Sequence, residues 1–160
     1  MNKTFEIIKE IGAISKSSDS RRELNLVSWN GCEAVLDIRS WSSDRSSYSR
    51  GIGFDDESAR KLMTILTEYF EEGYHLPSSS DGDAPALIFS HLGTIYEDGY
   101  WSREVNIVSW YGNAPKLDIR RWSNDRMRCT KGATFYEAEA KTLLKLLSSY
   151  FAEKERRCAS

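Results

Sequence analysis

The sequence predicts an α+β protein built from two tandem β-β-β-β-α units, each an antiparallel sheet followed by a helix. Three observations lead there. Residues 22–70 recur at 103–151 with a constant offset of 81 and no gap, about 22 of 49 positions being identical. Each copy opens with alternating segments rich in β-branched and aromatic residues, and each closes on a helical apolar stripe. An 81-residue period is too long for a solenoid unit and long enough for a small domain. The expected organisation is a first repeat at 1–71, a linker at 72–86 and a second repeat at 87–160.

The elements follow in order. Phe5 to Ile14 and Leu87 to Ile95 have the composition of opening strands, and Glu23 to Trp29 and Glu104 to Trp110 of second strands. Asn30-Gly31 and Tyr111-Gly112 supply turn chemistry. In the third strand Leu36 and Ile38 point one way while Asp37, Arg39 and Trp41 point the other, and Leu117 and Ile119 oppose Asp118, Arg120 and Trp122 in the same way. That alternation predicts one apolar face and one charged and aromatic face. Polar turns at 42–49 and 123–130 lead to short fourth strands near Gly51 to Phe54 and Gly132 to Phe135. Ala59, Leu62, Met63, Leu66, Tyr69 and Phe70 form a helical stripe, repeated by Ala140, Leu143, Leu144, Leu147, Tyr150 and Phe151. Asp55 is a good N-cap, whereas Tyr136 at the matching place is a poor one, so the second helix is expected to fray at its start. Residues 72–86, with three serines in a row, Asp81, Gly82, Asp83 and two prolines, have linker composition.

A unit of this size buries roughly 60% of its unfolded surface, whereas two packed together approach 70%. The helix stripes also carry Tyr and Phe beyond what one small sheet covers. The repeats are therefore expected to pack through their helices as an intramolecular pseudo-dimer, with further homodimerisation left open.

Composition narrows the function. Formal net charge is −2, which excludes a generally basic nucleic-acid coat but leaves local patches. The repeats differ here: residues 22–70 carry about −2 and residues 103–151 about +4. Cys32, Cys129 and Cys158 suggest neither a disulfide framework nor a zinc site, and fit a cytoplasmic protein. No apolar run approaches the ~18 residues of a membrane span, and the residues after Met1 form no signal-peptide core. His75 and His91 have no counterparts across the repeats, nor do the cysteines, and phosphate-loop, paired-carboxylate and metal-ligand spacings are absent. The expectation is a protein without catalysis, metal or cofactor.

The repeated polar positions point to binding. Arg39 with Trp41, and Arg120 with Trp122, set a cation beside a flat ring on one strand face, the pairing that holds a phosphate while stacking its base. Trp29 and Trp110 on the preceding strands extend such a platform. The residues alone leave a second reading standing: Asp37 and Asp118 pair with the arginines, and the tryptophans are core.

Lys116-Leu-Asp-Ile-Arg120-Arg-Trp122, a polar turn, Lys131-Gly132-Ala-Thr and a helix with Glu137, Glu139 and Ala140 resemble the signature of the transcriptional coactivator family called positive cofactor four, especially its short bacterial members. The resemblance implies strongly curved four-stranded sheets, pairing of units through their helices, and single-stranded DNA lying over the sheets with little sequence preference. It implies a role assisting transcription or other DNA transactions, with RNA left open as ligand. It places Trp29, Arg39, Trp41, Arg50, Arg103, Trp110, Lys116, Arg120, Trp122 and Lys131 on or near the nucleic-acid face. Lys116 has Val35 as its first-repeat counterpart, and the family's Lys-Gly becomes Arg50-Gly51, so the second repeat is expected to make most phosphate contacts. The rival expectation is a protein-interaction module on the same fold.

Overall fold

The computed structural model describes residues 4–80, 82 and 84–159. The chain runs β1 (Phe5–Lys16), β2 (Ser20–Trp29), β3 (Val35–Ser42), β4 (Ile52–Phe54), α1 (Asp56–Glu71), then β5 (Ala86–Glu97), β6 (Trp101–Trp110), β7 (Lys116–Ser123), β8 (Ala133–Phe135) and α2 (Glu137–Ala159). Two four-stranded antiparallel sheets result, in the orders β1-β2-β3-β4 and β5-β6-β7-β8. Both opening strands run longer than the sequence predicts, ending at Lys16 and Glu97, and β5 starts at Ala86, within the expected linker. Asp81 and Asp83 of that linker, and Met1, lie outside the described residues.

Local chemistry explains the turns and ends. Asn30 and Gly31 have φ of 52° and 74°, and Tyr111 and Gly112 have 52° and 77°, the positive values of a type I′ turn, which the Cys32 and Asn113 amides close by donating to the Trp29 and Trp110 carbonyls at 2.9 and 3.0 Å within a longer connection. Asn tolerates this region, whereas Tyr111 is strained there. Asp55 caps α1 by accepting the Ser58 amide at 2.8 Å. Tyr136 offers no side-chain cap, but the Glu139 carboxylate accepts the Tyr136 amide at 2.9 Å, so the start of α2 keeps half a capping box. Three register shifts in β1 against β2, between Ile7/Lys9, Glu10/Gly12 and Ala13/Ser15, recur at the matched places of β5 against β6. Such bulges bend a strand and increase its twist.

The chain divides into two compact units, Met1–Ala59 with Thr142–Ser160, and Arg60–Lys141. These units are not sequential: most of α2 groups with the first sheet, and most of α1 with the second. In the first unit Leu24, Leu36, Ile38 and Phe54 are buried on one sheet face. Gly12, paired with Leu24, lies so close to α2 that an added Cβ would sit 2.6 Å from a Leu146 methyl. In the second unit Val105, Ile107, Leu117, Ile119 and Phe135 form the equivalent layer. There a Cβ on Gly93, paired with Val105, would lie 2.5 Å from a methyl of Ile65 in α1. Lys9 and Glu153, 2.7 Å apart, link β1 to α2, and Glu137 accepts the Leu76 amide at 2.8 Å within the second unit. Among the described residues no helix is long and apolar enough to cross a membrane.

Candidate nucleic-acid interface

Cross-strand register assembles the polar face. Asn25 pairs with Asp37 and Glu23 with Arg39, while Phe5 pairs with Trp29; strand alternation then sets Trp29, Asp37, Arg39 and Trp41 on the face opposite Leu36 and Ile38. The second unit repeats this with Asn106, Asp118, Glu104, Arg120, Trp110 and Trp122.

The same ion pair is built twice. Arg39 donates from Nε and Nη2 to the two oxygens of Asp37, both at 2.7 Å, and from Nη1 to the Ser49 carbonyl at 3.2 Å. Trp29 donates its indole N–H to Asp37 at 3.3 Å, and the guanidinium carbon of Arg39 stands 4.3 Å from the Trp29 ring centroid. Arg120 binds Asp118 and the Thr130 carbonyl at those same distances, Trp110 donates to Asp118 at 3.1 Å, and Arg120 lies 4.3 Å over Trp110. Burial pushes the Asp118 carboxyl above its ordinary value, opposed by Arg120 and the Trp110 N–H. Glu104, on the same face, is pushed up by burial too. Hydrogen bonds from Ser102, Arg126 and Asn106 outweigh that and hold it below the usual range.

The geometry corrects several sequence expectations. Trp41 and Trp122 are not surface platforms: they are 0% and 5% exposed, stacked beneath Trp29 and Trp110 at 6.3 and 6.2 Å. Arg39 and Arg120 are mostly engaged inside the protein, their side chains 12% and 13% exposed. The charged strand face is thus largely buried, because the 42–51 and 123–132 segments fold over it, Tyr48 bridging Trp41 and Cys129 bridging Trp122. Arg103 sits an odd number of residues from Trp110 along an unshifted strand pairing, which puts it on the opposite, helix-facing side of the sheet. Trp29 and Trp110 are half-buried, and Arg50 and Lys131 are exposed. The glycines after those two cations have a structural cause: a Cβ on Gly51 or Gly132 would collide with the Ile38 or Ile119 carbonyl and with Arg39 or Arg120. The backbone just after Arg50 and Lys131 is thereby held against the strand of the paired arginine.

The units diverge around this shared core. In the second, Trp110, Asn113, Ala114, Lys116, Arg120 and Thr134 line a cavity of about 290 Å³. Lys116 Nζ stands 4.6 Å over the ring of Tyr136, which is 63% exposed, and Tyr111 is 70% exposed. Among the described residues Lys116 and Lys131 form no ion pair, whereas Arg121 binds Asp98 and Arg126 binds Glu104. The matched positions of the first unit hold Cys32, Glu33, Val35, Gly53, Asn30 and Asp55. Tyr111 and Tyr136 were not among the sequence-derived site residues; the readable signal was that each replaces a residue with a backbone role, a turn Asn and a helix-capping Asp.

The three cysteines are exposed free thiols, and among the described residues no group of three or more His, Cys, Asp or Glu is placed to hold a metal. His91 hydrogen-bonds Asn106 at 2.6 Å, and His75 lies 3.0 Å from Glu137. No family model matches the chain. Over 58 residues, 36% of its length, it is 43% identical to an uncharacterized protein of Treponema pallidum (strain Nichols), of which the match covers 68%. Since 58 residues are 68% of that protein, it is about 85 residues long, close to the 81-residue period found here.

Proposed function

Since the chain belongs to the same family as this uncharacterized Treponema pallidum protein, we propose from the site itself that it binds single-stranded nucleic acid, DNA in the first instance, without catalysis and with low sequence preference. The observation that carries the reading is the second unit's surface, where a half-buried, arginine-braced Trp110 adjoins a cavity lined by Lys116, which lies over the exposed Tyr136, with Lys131 and Tyr111 exposed in the same unit. Aromatic faces that accept any base, interleaved with cations for phosphates, suit a flexible single strand better than a duplex. Duplexes present stacked, inaccessible bases. Assistance to transcription or other DNA transactions in the cytoplasm is the role this binding would serve.

The pseudo-dimer belongs to the same proposal. A relative of one-repeat length supports reading the chain as two such units joined in tandem.

The test is fluorescence anisotropy of a labelled oligothymidylate against salt. Salt-sensitive binding is expected. Lys116→Ala with Lys131→Ala should lower the slope of log affinity against log salt by about 0.7 for each lost phosphate contact. Absence of binding at low salt would refute the reading and favour a protein-interaction module on the same fold.

A further inference from the structure

We propose that the chain carries one base-stacking site, on Trp110, and that the matching site on Trp29 is closed by the protein's own rings. This rests on the nucleic-acid reading above and deepens it. In the first unit Trp29 is packed by Phe5, centroids 5.8 Å apart, and by Tyr48 at 5.4 Å. Both rings also pack on Trp41, at 5.0 and 5.2 Å, and on each other at 5.7 Å, edge to face. Arg39 reaches both Trp29 and Tyr48. The result is a four-ring cluster that fills the space beside Trp29.

The second unit keeps the backbone of this cluster and omits two of its rings. Ala86 pairs with Trp110 as Phe5 pairs with Trp29, and Cys129 bridges Trp122 as Tyr48 bridges Trp41. Phe5 and Tyr48 are half-buried, whereas Ala86 and Cys129 are exposed. Among the described residues Trp110 keeps ring contact with Trp122 and Arg120 alone. The two rings that pack on Trp29 in one unit therefore have no ring counterpart in the other, against an indole held in the same way. A planar aromatic ligand fits a place where planar aromatic side chains pack in the sister copy.

Charge identifies that ligand further. Three substitutions from first to second unit around this indole favour an anionic, planar ligand: Val35 becomes Lys116, Glu33 becomes Ala114 and Asp55 becomes Tyr136. Each removes a negative charge, adds a positive one or adds a ring. A base with its adjoining phosphate is the ligand that uses all three changes, with Lys116 at the neighbouring cavity drawing the phosphate. Tyr111 supports a binding role as well, because an aromatic residue at φ 52° and 70% exposure costs stability without contributing to the core.

The experiment exchanges the ring pairs in the full chain. Ala86→Phe with Cys129→Tyr rebuilds on Trp110 the cover seen on Trp29, while Phe5→Ala with Tyr48→Cys removes it from Trp29. Anisotropy with a labelled oligothymidylate at low salt, after thermal melts confirm folding, should show the first variant binding about tenfold more weakly. That is the loss of one stacked base. The second variant should stay within about twofold of the unmodified chain. If the double variant does not fold, Cys129→Tyr alone serves, with a smaller loss expected. Tight binding by the unmodified chain together with an unchanged Ala86→Phe/Cys129→Tyr variant would overturn the single-site inference and leave the nucleic-acid reading intact. No binding by the unmodified chain would end both.

Discussion

Replacing Trp122 by Ala separates a structural tryptophan from a binding one. The ring is 5% exposed and stacked under Trp110 at 6.2 Å with an interplanar angle of 12°. Truncating a buried Trp to Ala costs about 3–5 kcal/mol through lost transfer energy and the cavity left behind. One feature moderates this: the indole N–H of Trp122, like that of Trp41, is buried without a hydrogen-bond partner among the described residues. Such an orphan donor carries a penalty of about 1–3 kcal/mol, which the substitution relieves. The expected loss is therefore near the lower end, about 3 kcal/mol. Trp122→Phe, which discards the orphan donor but keeps a ring, should cost only about 1 kcal/mol. Urea denaturation followed by far-UV circular dichroism reads both, with the slope against denaturant confirming that the same surface is exposed. A loss below about 1 kcal/mol for Trp122→Ala at unchanged slope would refute the core assignment and restore the surface platform.

Two further outcomes follow from the ion pairs. Asp118→Asn leaves the Arg120 guanidinium, 13% exposed, without its counter-charge and should destabilise by about 3 kcal/mol in the same assay; joint replacement of Asp118 and Arg120 by Leu and Met should recover most of it. Glu137 is held at about 2 by the His75 hydrogen bond first, then by the Leu76 amide and Lys141. A lowered carboxyl contributes stability that is complete above its unfolded value near 4.5 and is lost as pH falls through about 2. Glu137→Gln should thus cost on the order of 1 kcal/mol at neutral pH, after allowance for solvent screening, and converge on the unmodified protein in melts near pH 2.

The two-unit α+β architecture was legible because its signals are local. Asn30-Gly31 dictates a turn, Asp55 a cap, and the spacing of Leu62, Leu66, Tyr69 and Phe70 a helix. What escaped was non-local. Alternation in Leu36-Asp37-Ile38-Arg39 states that two sets of side chains lie on opposite faces, but not that both faces are covered. The cover over Trp41 comes from Tyr48 and Phe5, respectively seven residues on and on the far strand. A helix stripe likewise states what a helix buries and not which sheet it meets: Leu146 of the second repeat meets Gly12 of the first sheet, and Ile65 of the first repeat meets Gly93 of the second. Within the candidate site, the Lys116 and Lys131 cations were readable from the resemblance and the charge asymmetry. Tyr111, Tyr136, Ala86 and Cys129 mattered only once the copies were compared position by position in three dimensions.

The most direct measurement uses the five tryptophans as separate reporters. In protein labelled with 5-fluorotryptophan, each ¹⁹F resonance is assigned by single Trp→Phe substitution, and a short oligothymidylate is titrated in at low salt. The Trp110 resonance should move with saturation at one oligonucleotide per chain, with the Trp29 and Trp41 resonances stationary. Equal movement of Trp29 and Trp110, or movement of neither, would contradict this.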